Sequence, residues 1–505
     1  MQKPVSIAAN IGFFGQPRGL STLFFTEMWE RFSYYGMRAI LVLFMTSPAA
    51  QHGMGLNVET SGAIYGLYTA GVYLLTLPGG WLADNILGQR KAIWYGGILI
   101  MTGHIILAVP GFLPELKNIF FLGLVFVACG TGMLKPNIST IVGDLYPEGG
   151  ARRDAGFSLF YMGINIGSLL GQTFVGLLGE KVNWHLGFGL AAIGMFFGLL
   201  QFRLTQGSLG DLGIQPQAKE KSELDHPARN KTMGWMLAFG LIVFIMILQI
   251  IGIIDITSVR GIAEAVGILI ISVTIVYFMN ILIAGGLTAD EKKKVAIIFM
   301  LFIGAAVFWS GFEQAGSSLN LFARDHTNRF ILGWEIPASW LQNVNPAFII
   351  ILAPVIGALW IKLSAMQLNP NTPLKFGFGL IMMALGFLFM FFAAKLVITG
   401  VQVGMQWLII TYFLHSTGEL TLSPVGLSAT TKLAPRRYVG QMMGIWFVGA
   451  ALGNLIAGLY AGEFDPENLQ QMPNVFMSVV LTGVGAGILF AALNRGMRRW
   501  MGNIH

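Results

Sequence analysis

Residues 27–38 read EMWERFSYYGMR and place four charged side chains inside a largely apolar segment that covers residues 21–45. A helix of roughly 20 residues crosses the hydrocarbon of a bilayer, so these charges are expected at membrane depth. Each costs at least about 2.5 kcal/mol there unless it is paired or hydrated, which makes such residues functional candidates. The helical spacing predicts one polar face on this helix, formed by Glu27, Arg31, Tyr35 and Arg38.

The composition indicates a polytopic membrane protein. Hydrophobic residues make up 55% of the 505 residues and charged residues 11%, whereas a soluble domain carries about 25% charged residues. Cys129 is the only cysteine, which excludes a disulfide framework and a multi-thiolate metal site. No cofactor is expected.

Apolar stretches of spanning length recur along the whole chain, which predicts an all-α fold with 14 transmembrane helices. They lie near residues 21–46, 61–82, 92–112, 118–142, 155–179, 185–205, 233–254, 261–286, 295–320, 345–364, 374–396, 404–430, 438–461 and 474–494. With the N-terminus inside, 22 of the 31 Lys and Arg residues fall in cytoplasmic segments and 6 outside. This bias predicts that both termini are cytoplasmic, and it accounts for the net charge of +7 without a nucleic-acid partner.

The longest polar stretch, residues 206–230, has the composition of a cytoplasmic linker. Without this linker and the two spans that follow it, six spans remain on each side. We therefore predict an N-terminal six-helix bundle over residues 1–205, a linker with two inserted helices over 206–293, and a C-terminal six-helix bundle over 294–505. Two related bundles around a site near the membrane midplane are typical of transporters.

A loop between spans 2 and 3 carries a recognisable signature. Residues 80–91 read GWLADNILGQRK and resemble G-x-L-A-D-x-x-x-G-x-R-K, the cytoplasmic signature of the major facilitator superfamily. Such a tight turn carries a carboxylate and two cations, which can latch neighbouring helix ends. The resemblance implies the major facilitator fold, and it does not identify a substrate.

Three further stretches resemble the motifs of the proton-dependent oligopeptide transporter family, in the bacterial form that has two extra helices. They are EMWERFSYYG at residues 27–36, FYMGINIGSL at 160–169 and GELTLSPVGLS at 418–428. Because they lie in order in both halves, the resemblance covers the chain. It implies a symporter in the bacterial inner membrane that imports di- and tripeptides with protons by alternating access.

A free peptide is a zwitterion, so its cavity needs cations on one wall and a carboxylate or amides on another. Arg31 and Lys135 are intramembrane cations suited to the peptide carboxylate. Glu419 can bind the ammonium, with Asn165 and Asn345 as amide acceptors. The resemblance implies the same roles, while a buried ion pair without a ligand role is an alternative for Lys135.

Motif context selects the remaining cavity candidates. Flat aromatic side chains accept varied peptide side chains, and Tyr hydroxyls can bind the peptide backbone. The remaining candidates for the peptide cavity match cavity positions of the family or lie in its motifs. They are Tyr35, Arg38, Tyr73, Tyr161, Trp309, Ser423 and Trp446.

Proton coupling needs carboxylates whose environment changes during transport. The candidates are Glu27, Glu30 and Glu313. The resemblance pairs Glu313 with Arg38, in a bridge that protonation would break. His104 and His415 are expected to be hydrogen-bonded packing residues.

Three other functions stay open at this point. A relative could carry another anionic solute such as nitrate, although an intact E-x-x-E-R with Lys135 and Glu419 favours peptides. A membrane enzyme is disfavoured because the sequence has no H-E-x-x-H and no G-x-x-x-x-G-K-[ST]. A non-transporting sensor would be expected to carry a large soluble signalling domain. We expect a monomer whose partners are peptides, protons and membrane lipid.

Overall fold

The computed structural model describes residues 11–148, 150–215, 243–464 and 469–502, and these are predominantly helical. The helices are α1 (Arg18–Thr46), α2 (Val58–Leu74), α3 (Thr76–Leu82), α4 (Gln89–Ala108), α5 (Ile119–Asp144), α6 (Gly150–Lys181), α7 (Trp184–Thr205), α8 (Val259–Ala284), α9 (Ala289–Phe312), α10 (Ser318–Asp325), α11 (Val344–Ala365), α12 (Thr372–Ile398), α13 (Gln406–Leu433), α14 (Val439–Gly462) and α15 (Met472–Met501). Residues 243–250 are also helical.

Ten helical stretches in the described residues are long and apolar enough to cross a membrane. Helices α1, α2 and α13 are not among these ten stretches, but they coincide with three further predicted spans. Helix α1 carries the charged face, and α2 has only 17 residues. The predicted span over residues 233–254 lies partly outside the described residues. The protein is thus a helical, polytopic membrane protein, as predicted.

Short strands occur only in connections within the described residues. Strand β1 (Ile11–Phe13) pairs antiparallel with β2 (Gln16–Pro17) just before α1. Strands β3 (Thr327–Asn328), β4 (Phe330–Ile331), β5 (Trp334–Glu335) and β6 (Val403–Gly404) form a parallel β3–β6 pair and an antiparallel β4–β5 hairpin. None of the six strands exceeds three residues, so they do not alter the helical class of the fold.

Packing divides the described residues into two compact units. Unit 1 takes in those within Met1–Met54, Leu74–Ala218 and Phe330–Ile350, and unit 2 those within Gly55–Tyr73, Lys219–Arg329 and Ile351–His505. Two short segments therefore pack away from their neighbours in sequence: residues 55–73 belong to unit 2, and residues 330–350 belong to unit 1. The predicted division at residues 205 and 293 stays a prediction.

In unit 1, α1 packs on α6 and α7, and α4 packs on α5. Glycine allows the α4–α5 contact, because a Cβ on Gly130 would lie 2.5 Å from the carbonyl oxygen of Gly96. In unit 2, α12 packs on α13 and α15, and α9 packs on α14. There a Cβ on Gly62 of α2 would lie 2.5 Å from the carbonyl oxygen of Gly458 on α14. Small residues thus set the close helix contacts in both units.

The signature turn between α3 and α4 anchors the chain that follows α7. Gly88 adopts a φ of +79°, and a Cβ there would lie 2.5 Å from the carbonyl oxygen of Ile214. The backbone N–H of Arg90 donates to the carbonyl of Gly213 at 2.9 Å, and the Arg90 guanidinium donates to the carbonyl of Gly210. Within unit 1, this cation therefore holds the start of the linker.

Candidate functional site

An ionic cluster on α1 forms the centre of the candidate site in unit 1. Arg31 Nε lies 2.7 Å from Glu27 Oε1 and 2.8 Å from Glu30 Oε2. The three side chains are 3%, 2% and 0% exposed respectively. Charges buried this deeply are tolerated because they are paired. The spacing predicts that Glu27 and Arg31 share one helical face; the structure shows them in contact and adds Glu30.

The Arg31 guanidinium keeps a donor for a further acceptor. Its Nη2 is buried and has no hydrogen bond among the described residues, and the same is true of Glu27 Oε2. Planar guanidinium groups bind carboxylates through two parallel hydrogen bonds, so a terminal nitrogen of this kind is suited to an anionic ligand.

Aromatic rings surround the cations of α1. Arg31 Cζ lies 5.6 Å from the ring centroid of Tyr34 and 6.0 Å from that of Tyr35. Arg38, which is 6% exposed, places its Cζ 5.2 Å from the same Tyr35 ring. Tyr35 therefore lies between the two arginines, and cation–π attraction contributes to holding them in place.

Helix α5 supplies a hydroxyl and a cation to the cluster. The Thr131 hydroxyl donates to Glu30 Oε1 at 3.4 Å. One turn later, the half-buried Lys135 interacts electrostatically with Glu30. The structure thus brings Lys135 to the α1 cluster. Sequence reasoning missed Thr131, and its position one turn before Lys135 was the available signal.

Helix α6 and the start of α11 contribute amides to unit 1. The Asn165 side-chain nitrogen donates to the Tyr161 carbonyl at 2.9 Å, which leaves Oδ1 as the acceptor of this amide. Asn165 is 7% exposed and Tyr161 is 41% exposed. Asn345 is half-buried and belongs to unit 1, although it lies in the second half of the sequence.

Unit 2 holds two of the predicted carboxylates. Glu313 is 3% exposed and begins the single turn Glu313–Gly316 that follows α9. Glu419 is half-buried on α13, with the half-buried Ser423 one turn after it. The motif spacing therefore places Glu419 and Ser423 on one face of a helix.

The predicted aromatic residues of unit 2 lie on three helices. The Trp309 ring packs edge-on against Phe312, at a centroid distance of 5.2 Å. Trp446 on α14 is 6% exposed and lies against Gly426, where a Cβ would collide with the indole ring. Tyr73 is half-buried near the end of α2. Trp309 and Trp446 lie on helices long and apolar enough to cross a membrane, where flat side chains can line a cavity.

The two histidines behave differently. A ring nitrogen of His415 contacts the Met383 carbonyl at 3.2 Å, and the ring packs 5.1 Å from Phe387, as expected of a packing residue. His104 is fully buried, but neither ring nitrogen has a hydrogen bond among the described residues. The prediction of a hydrogen-bonded His104 is therefore wrong, because the helices around it bring no partner within reach in the described part of the chain.

Comparison with known proteins identifies relatives along the full chain. The model of the POT family matches residues 90–475. The peptide transporter YePEPT of Yersinia enterocolitica is 40% identical over 514 residues, which cover 100% of this chain and 99% of that protein. A di-/tripeptide transporter of Lactococcus lactis subsp. cremoris is 38% identical, over 97% of this chain and 98% of its own length. A crystal structure of a peptide transporter POT in complex with sulfate matches with a TM-score of 0.86 at 41% identity, over 99% of this chain and 100% of that chain.

Proposed function

Because this chain belongs to the POT family, and is therefore a membrane transporter and not an enzyme, we propose that it imports di- and tripeptides with protons by alternating access. Relatives named as peptide and di-/tripeptide transporters support the substrate class, since they match along almost the whole chain. The observation that carries the mechanism is the buried Arg31 cluster, whose terminal Nη2 has no hydrogen bond within the described part of the chain.

The peptide carboxylate would bind to Arg31 and Lys135. Arg31 supplies Nη2, which has no hydrogen bond among the described residues, and Lys135 adds a second positive charge near Glu30. The planar guanidinium gives the Nη2 contact a fixed direction, while the ammonium of Lys135 acts as a point charge. Together they fix one end of a zwitterion of variable length.

Charge balance in this cluster couples peptide binding to a proton. Glu27 and Glu30 offset Arg31 and Lys135 when the site is empty. A peptide carboxylate adds a third negative charge to a region that is almost fully buried, where uncompensated charge is costly. A proton taken up by Glu27 or Glu30 restores neutrality. Each peptide carboxylate therefore enters with at least one proton.

The peptide ammonium would bind to Glu419, assisted by the amide oxygens of Asn165 and Asn345. Arg38 would pair with Glu313 and release it on protonation, which makes Glu313 the second proton-coupling candidate besides the α1 carboxylates. The walls for the peptide backbone and side chains would come from Tyr35, Tyr73, Tyr161, Trp309, Ser423 and Trp446.

The Lys and Arg distribution supports an orientation with both termini in the cytoplasm, and the bacterial relatives support a location in the plasma membrane. In this orientation the linker between the bundles faces the cytoplasm. We propose that the transporter acts as a monomer in contact with lipid.

Uptake into proteoliposomes tests the proposal. Purified protein should accumulate labelled dialanine and trialanine above the external concentration when the outside is acidic, and should only equilibrate them without a pH difference. Excess unlabelled peptide should compete, and nitrate should not. Competition by nitrate would contradict the proposed substrate class. Equal accumulation with and without a pH difference would contradict proton coupling.

A further inference from the structure

One carboxylate holds the turn over Ala338–Asn343 onto helix α6. Glu180 Oε2 accepts from the backbone N–H of Ala338 at 2.7 Å, and Oε1 accepts from the backbone N–H of Ser339 at 2.9 Å. Oε1 also accepts from the Ser339 hydroxyl. Three donors of one short turn therefore converge on a single side chain within unit 1.

These hydrogen bonds satisfy groups that the turn cannot satisfy itself. The first backbone N–H groups of a helix have no partner inside the helix. Hydrogen bonds to an ionised acceptor are roughly twice as strong as those between neutral groups. Glu180 is half-buried near the end of α6, so solvent competes only in part for these donors.

Two further residues on the same face of α6, Thr173 and Gly176, also contact the turn. The Trp340 indole donates to the Thr173 carbonyl at 2.9 Å, and the Asn343 amide donates to the Thr173 hydroxyl at 2.9 Å. Between these contacts and Glu180 lies Gly176, where a Cβ would collide with the Ser339 hydroxyl. Residues 173, 176 and 180 follow helical spacing, so one face of α6 receives the whole turn.

The turn leads directly to a predicted substrate residue. Asn345 lies two residues beyond Asn343, in the first turn of α11. The Gln342 side chain donates to the carbonyl of Ala39 at 3.4 Å, which places the turn beside α1 at the residue after Arg38. The position of the turn on α6 therefore determines where Asn345 lies relative to the α1 cations of unit 1.

We infer that Glu180 is a positioning residue for peptide binding: it seats the turn over Ala338–Asn343 so that Asn345 reaches the peptide. The inference rests on the proposed function, because it takes Asn345 as a ligand of the substrate. Glu180 lies outside the three motifs that selected the other site residues.

The test compares Glu180→Ala, Asn345→Ala and the double variant in binding and uptake of dialanine. Glu180→Ala should raise Kd and KM about tenfold, the effect of losing one charge-assisted contact, with the maximal rate within about twofold of wild type. The double variant should bind no more weakly than the weaker single variant, because both changes remove one contact. Glu180→Gln keeps a carbonyl acceptor and should recover part of the affinity.

Lys181→Ala is the matched control. Lys181 is adjacent to Glu180 and pairs with Glu335 at 3.1 Å, but the two side chains are 29% and 40% exposed. Such exposed pairs contribute little, so affinity should stay within about twofold. If Glu180→Ala unfolds on purification, Ser339→Ala removes only the hydroxyl donor and should raise Kd about threefold.

The possible outcomes distinguish a failure of the ligand role of Asn345 from a failure of the positioning role of Glu180. Wild-type affinity in Asn345→Ala would contradict the ligand role of Asn345 in the proposed function. Weakened binding in Asn345→Ala together with normal binding in Glu180→Ala would overturn the positioning role alone. Additive losses in the double variant would also overturn it, because independent effects multiply in Kd.

Discussion

Replacing Arg31 with lysine tests whether the guanidinium geometry, and not only its charge, binds the substrate. In the structure Nε contacts both Glu27 and Glu30, at 2.7 and 2.8 Å, and Nη2 remains for a ligand. Lysine ends in a single nitrogen, so it cannot hold both carboxylates and also offer a second nitrogen to a peptide. Arg31→Lys keeps the charge and removes the fork.

The size of the effect follows from one lost contact. A hydrogen bond to a charged group contributes about 1.5–3 kcal/mol, and each 1.4 kcal/mol is about tenfold in Kd. Because Nη2 carries the proposed bond to the peptide carboxylate, Arg31→Lys should weaken dialanine binding about tenfold to a hundredfold. A role based on charge alone predicts almost no change.

Calorimetric titration of purified protein with dialanine measures this difference directly. Arg260→Lys is the matched control, since Arg260 also bridges two carboxylates, Glu264 at 2.9 Å and Glu59 at 3.1 Å. That arginine is 38% exposed, so its pairs are solvent-screened and the control should bind like wild type. A Kd for Arg31→Lys within about threefold of wild type would refute the proposed contact of Nη2 with the peptide carboxylate.

Three other variants test separate parts of the molecule. Glu313→Gln should abolish accumulation driven by a pH gradient and preserve peptide exchange; concentrative uptake by this variant would contradict the coupling role. Thr131→Val removes a hydroxyl that donates to a buried carboxylate at 3.4 Å, and should slow uptake about threefold to tenfold, a loss of about 1 kcal/mol; unchanged uptake would remove Thr131 from the site. Gly62→Ala places a methyl group 2.5 Å from the Gly458 carbonyl oxygen and should cost about 1–3 kcal/mol of stability. Gly71→Ala on the same helix is the control, because a methyl group at Gly71 would meet no atom within 4 Å. An equal drop in unfolding temperature in both variants would contradict the conclusion that close packing at Gly62 requires glycine.

Apolar runs predicted the spanning helices well because lipid requires long, fully hydrogen-bonded apolar helices. The break after α9 could not be read in this way. Residues 295–320 form one apolar run, yet α9 ends at Phe312 and a turn over Glu313–Gly316 precedes α10. No proline marks the break. It is associated with tertiary packing, because a Cβ on Gly316 would collide with the Tyr65 hydroxyl in unit 2.

In the candidate site, the contacts within one helix could be predicted from the sequence, and the contacts between helices could not. Helical spacing predicted that Glu27 and Arg31 share a polar helix face, since they lie four residues apart, and the structure shows them in contact. The partnership of Thr131 with Glu30 depends on how α5 packs against α1. The spacing of Thr131 and Lys135 marks a shared helix face, but it does not identify Glu30 as the partner of Thr131. The seating of residues 338–343 on α6 is also a tertiary contact. Residues 330–350, which include Asn345, belong to unit 1, although the chain on both sides of them belongs to unit 2.

Under the proposed function, the balance of two carboxylates and two cations at the α1 cluster suits a coupled transporter better than a simple binding protein. Here Arg31 contacts two carboxylates, and all three side chains are at most 3% exposed. With Lys135 near Glu30, two cations balance these two carboxylates, so a third carboxylate would leave a net negative charge and strong repulsion at short range and low dielectric. Under the proposed function, a proton on Glu27 or Glu30 removes this repulsion, so protonation precedes tight binding of the peptide and the proton gradient drives uptake.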